Sequence, residues 1–171
     1  MMNLYILLLR VLHIGAGVFW AGASWTVAGF LTPAVKATGQ SGQQVMGYVN
    51  NQRRLTGIFT LAAVVNILSG LLLLWNSSAG LNPNWFRTGP GIALSLGALA
   101  GIVVFALGFF VHRPVGARLG AIGAQLAAGP PEPELVQEAG TLQARLESAG
   151  VWSSILLAIA VILMAAAEQV Y

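Results

Sequence analysis

The sequence predicts an all-α integral membrane protein, an up-down four-helix bundle with a cytoplasmic helical hairpin extending spans three and four. Composition is the first observation behind this: the 171 residues are 57% hydrophobic and 8% charged, whereas soluble domains run about 45–50% apolar and about 25% charged. The second is a mean hydropathy of +0.78. The third is length, since a hydrocarbon core about 30 Å thick takes roughly 20 apolar residues to cross. Four such runs lie at about 4–31, 55–75, 92–112 and 150–167. Little is left over, so residues 1–171 are read as a single transmembrane domain.

Span one contains a small-residue site, Ala21-Gly22-Ala23, after an apolar run, the pattern of a cleaved signal. No basic residue precedes the run and apolar character continues to Leu31, so it is read as a retained span. It closes at Thr32-Pro33. A Gly/Gln/Ser-rich stretch, Thr38 to Gln44, then carries a capping-box pattern, Ser41 with Gln44, that predicts a helix running toward span two. Span two ends at Trp75-Asn76-Ser77-Ser78, and the turn-formers Asn82-Pro83-Asn84-Trp85 and Gly89-Pro90-Gly91 make a short outer cap. After span three, Leu119, Ile122 and Leu126 recur at helical spacing. The break Gly129-Pro130-Pro131-Glu132-Pro133 follows, and then Leu135, Ala139, Leu142 and Leu146 resume the period. Glu132, Glu134 and Glu138 fall early in the second arm and Arg145 late, as a helix dipole favours. Spans one and three share no motif that marks a duplicated unit.

The net charge of +3 does not point to nucleic acid, because the eight cations are scattered and only Arg53 and Arg54 are adjacent. They report orientation instead. Lys36, Arg53, Arg54, Arg113, Arg118 and Arg145 lie in the two connections on one side, Arg87 on the other, and Arg10 within span one. Positive-inside bias then places both termini outside a membrane expected to be a bacterial cytoplasmic one. The absence of cysteine excludes disulfides, iron–sulfur clusters and thiolate metal sites.

Chemistry concentrates in span one. At 100° per residue Arg10, His13, Gly17, Trp20 and Ser24 fall within about 80° of one another, a polar and small face expected to look into the bundle. A rise of about 1.5 Å per residue puts His13 and Asn66 of span two level, each roughly 14 Å below the outer end of its span. A hydrogen bond between them is expected, set among Ala62, Ala63, Ser69 and Gly70. Glu168 closes span four near the outer end, where it is the simplest ion-pair partner for Arg10. Gly97, Gly101 and Gly108 form a small-residue stripe on span three. It reads either as plain helix packing or as a flat groove for a planar ligand opposite His13. His112, roughly 20 Å along the normal from His13, cannot share a haem with it inside one chain. There are no Asp residues, no acidic pair in a span and no HExxH, so hydrolysis is not indicated.

The run Leu9-Arg10-Val11-Leu12-His13-Ile14 followed by Val18-Phe19-Trp20-Ala21-Gly22 resembles first-span signatures of two groups. They are the copper-resistance inner-membrane D family and the four-helix membrane protoporphyrinogen oxidase family. The oxidase resemblance implies haem binding at the first-span histidine, His13. That family also uses a third-span lysine, which this chain lacks. The expectation is therefore a membrane protein holding haem b or another porphyrin, for redox or carrier work, with His13 as metal ligand and Asn66, Gly97 and Gly101 shaping the pocket. The alternative is a non-catalytic accessory or assembly subunit of a larger membrane complex. A copper or proton pathway is the third reading. The expected partners are the lipid bilayer and either a second copy, as a homodimer, or that complex, with no nucleic acid.

Overall fold

A computed structural model describes residues 3–130 and 132–167. Helix α1, Leu4–Thr26, opens on Asn3, whose side chain accepts the Tyr5 N–H at 3.1 Å, satisfying one of the free donors of the first turn. The helix does not close at Thr32-Pro33. It passes through a π turn, Val27–Leu31, into α2, Thr32–Thr38. The Thr32 N–H bonds back five residues, to Val27, and Pro33 falls in the first turn of α2. There its missing N–H costs little, and the widened turn lets the ring pass the carbonyl it would strike in a regular helix.

Gly39, at φ +57°, reverses the chain into α3, Gln40–Asn51, which packs against α2. This start precedes the capping box, so Ser41 and Gln44 lie inside the helix and α3 has no side-chain cap. Arg54, left-handed at φ 52°, separates α3 from α4, Leu55–Ser77. A 3-10 turn, Trp85–Arg87, precedes α5, Gly89–Leu107, which is capped by the Thr88 hydroxyl accepting from the Gly91 N–H. A second π turn, Gly108–His112, leads into α6, Arg113–Ala128, with Pro114 in its first turn. After the turn, α7 runs unbroken over Pro133–Ala166.

Among the described residues four continuous helical rods are long and apolar enough to cross a bilayer: Leu4–Thr38, Leu55–Ser77, Gly89–Ala128 and Pro133–Ala166. The third has 40 residues, roughly 60 Å at 1.5 Å per residue and twice the hydrocarbon thickness, so its α6 half projects beyond the membrane beside the start of α7. Arg118 and Glu138 join these two arms by two parallel bonds of 2.7 and 2.6 Å. Lys36 of α2 pairs with Glu147 of α7.

In the bundle α1 packs chiefly on α4 and α5 chiefly on α7. The contacts α4–α5 and α1–α7 close the ring, with α1 diagonal to α5. The core is built on Trp20, Ala21, Ala63, Val104 and Leu157, and Gly97, Ala100, Gly101 and Ser153 are also buried. Leu8, Val11, Ile14, Val18, Leu61, Leu68 and Ile162 instead face outward. Small residues inside and large apolar ones outside suit a lipid solvent, where close backbone approach rather than water exclusion holds helices together. Exposed aromatics mark the two interfaces. Tyr5 and Trp25 stand at opposite ends of α1, 20 residues or about 30 Å apart.

Candidate functional site

His13 and Asn66 meet at mid-depth, across the α1–α4 contact. The His13 Nδ1 lies 2.9 Å from the backbone carbonyl oxygen of Asn66. A carbonyl only accepts, so Nδ1 carries the proton and donates, which leaves Nε2 as the ring nitrogen that can offer a lone pair. The Asn66 amide nitrogen in turn donates to the backbone carbonyl of His13 at 2.8 Å, which fixes the amide's orientation. The 3.3 Å approach of that nitrogen to Nδ1 brings two donors side by side. It follows from the two bonds and is not a third one.

Two glycines make this exchange possible. A Cβ on Gly70 would sit 2.7 Å from His13 Cε1 and 3.0 Å from Nδ1; one on Gly17 would sit 2.7 Å from the Asn66 amide nitrogen. Each side chain thus reaches the opposite backbone over a bare patch of helix four residues past the residue whose carbonyl it meets. The sequence carries this as a reciprocal pattern, His13-x3-Gly17 and Asn66-x3-Gly70. Periodicity put both glycines on the right faces, but the exchange between them depends on the crossing of α1 and α4, which no single-helix pattern encodes.

The other expected site residues lie elsewhere. Gly97 packs against Met164, whose Cγ would be 3.1 Å from a Cβ there, and against the Ala160 carbonyl; Gly101 faces Ile67. Side chains of α4 and α7 therefore cover the stripe at Gly97 and Gly101, while Gly108 has nothing within 4 Å of a Cβ, and the diagonal placement of α5 keeps the stripe from His13. Arg10 does not look into the bundle. It is exposed, at the edge of the span-one face, where a long side chain can carry its guanidinium toward the interface. Its expected partner, Glu168, lies outside the described residues. His112 donates from Nδ1 to the Leu107 carbonyl at 3.1 Å, satisfying its own π turn. Among the described residues no three His, Cys, Asp or Glu side chains gather to hold a metal ion.

Two grooves open at the hairpin end, away from His13. One is lined by Thr56, Thr60, Leu61, Val64 and Arg113, the other by Leu107, Val111, Arg145, Ser148, Trp152 and Leu156. No family model, curated protein or solved structure matches this chain.

Proposed function

We propose that this membrane protein binds haem b or a related metalloporphyrin through His13 Nε2 and serves in redox or carrier work. The observation that carries the reading is the Nδ1–H bond to the Asn66 carbonyl. An imidazole that donates one nitrogen to a backbone oxygen is oriented and fixed in one tautomer, the usual support of a ligating histidine. Nε2 has no hydrogen-bond partner among the described residues. A lone histidine also suits a porphyrin better than a bare ion, because the macrocycle supplies four donors of its own. With Gly97 and Gly101 covered, the ring would lie against the outer surface of α1 and α4, not between spans one and three. Any second protein ligand to the metal would then come from another copy of the chain.

The test is the visible spectrum of protein purified in mild detergent from cells supplied with haem precursors. A Soret band that shifts on reduction and is lost in His13→Ala is expected. A colourless protein that stays colourless after haem titration would overturn the reading.

The reciprocal bonds favour a second reading, an accessory subunit in which His13 and Asn66 only lock α1 to α4. In that case His13→Ala lowers thermal stability, no pigment is found, and partner subunits co-purify.

A further inference from the structure

We propose that the groove between α5 and α7 at the hairpin end is a binding site for one anionic phospholipid. The groove has a volume of about 420 Å³ and is polar at one end only, where Arg145 and Ser148 stand; Leu107, Val111 and Leu156 line its length. Trp152 borders it and is 59% exposed. Seven residues separate Arg145 from Trp152, roughly 10 Å along the helix. This spaces a guanidinium at the depth of lipid phosphates and an indole at the depth of the ester carbonyls, where tryptophan concentrates. A planar guanidinium binds a phosphodiester through two parallel hydrogen bonds, and the Ser148 hydroxyl can donate a third. One acyl chain then follows the apolar floor.

Charge decides the class of lipid. The neighbouring carboxylates are committed, Glu147 to Lys36 and Glu138 to Arg118, and no carboxylate lines the groove. The amine of a zwitterionic headgroup therefore finds no partner, whereas a headgroup whose only charge is its phosphate is matched. Basic pockets between membrane helices have this preference. The second groove lacks the same readiness, because its Arg113 guanidinium stacks on Phe109, 5.6 Å from the ring centroid.

Native mass spectrometry of the full chain, released from micelles titrated with phosphatidylglycerol or phosphatidylcholine of identical acyl chains, tests this. The parent should carry one phosphatidylglycerol at concentrations at least fivefold below those needed for phosphatidylcholine. Arg145→Gln should erase that preference, Arg145→Lys should retain part of it, and Arg53→Gln, altering a cation outside the groove, should leave it whole. Equal affinity for the two lipids in the parent would overturn the site. So would an undiminished preference in Arg145→Gln, or displacement of the lipid by millimolar inorganic phosphate, which would mean that the arginine recognises a free anion. Matching circular dichroism and melting curves for Arg145→Lys and the parent secure the comparison if the glutamine variant folds poorly.

Discussion

Gly70 carries a larger structural burden than its size suggests, because the imidazole lies where a methyl group would be. Gly70→Ala is expected to force His13 out of its bond and cost about 1–3 kcal/mol, the usual range for overpacking a close contact. Thermal unfolding in detergent measures it. Gly15→Ala, where nothing lies within 4 Å, is the matched control and should leave stability unchanged or raise it slightly, by at most about 1 kcal/mol, because alanine costs a helix less than glycine. Asn66→Leu removes only the amide half of the exchange and should cost about 0.6–2 kcal/mol, the scale of interhelical hydrogen bonds in membranes. Combining it with Gly17→Ala should cost less than the sum, since the alanine methyl would displace the same amide; strict additivity would mean the two residues act separately. The sequence made the level and the faces of this site legible through rise and periodicity. It left the roles of the glycines and the exposure of Arg10 hidden, because both follow from how two helices cross.

Among the elements, the connection after α4 holds the clearest backbone strain. Ala79, Gly80 and Leu81 all have positive φ, at 50°, 80° and 67°. The turn is held by fully buried Ser78, whose hydroxyl accepts the Leu81 N–H at 2.9 Å. A left-handed residue with a side chain costs about 1–2 kcal/mol, partly offset in any glycine variant by a freer unfolded chain. Leu81→Gly should therefore raise stability by about 0.5–1 kcal/mol, and a melting temperature equal to or below the parent's would count against the strain. The arms α6 and α7 depend on pH through Glu138, whose carboxyl the bidentate Arg118 bond holds below its ordinary value near 4.5. Because the folded value is lowered, the pair's contribution is full above that ordinary value and is lost as pH falls through the folded one. Protection factors in α6, corrected for the fall of intrinsic amide exchange with pH, should drop a few-fold at most on acidification, and in Glu138→Gln they should already be at the lower level at neutral pH. Turn-formers and the Gly-Pro-rich break were readable as punctuation. Pro33 reads as a stop in the sequence, yet a π turn, invisible to propensity, lets the helix absorb it.

For the whole molecule, hydropathy sufficed to reveal four rods and a hairpin, since lipid admits few alternatives to helices. It could not show which rods pair most closely. That depends on small residues matched across interfaces, such as Gly97 beneath Met164 of α7. The closest pairings, α1 with α4 and α5 with α7, each join spans that are consecutive in the chain. A gene cut between codons 81 and 84 and expressed as two fragments should accordingly yield an assembled protein that co-purifies through a tag on either piece. Failure of the fragments to associate would mean that the weaker α4–α5 and α1–α7 contacts need the intact loop. Pairing between consecutive spans also orders events at the ribosome. The His13–Asn66 exchange needs only the first two spans and can close before the third has entered the bilayer, so the imidazole is oriented from its earliest moments there.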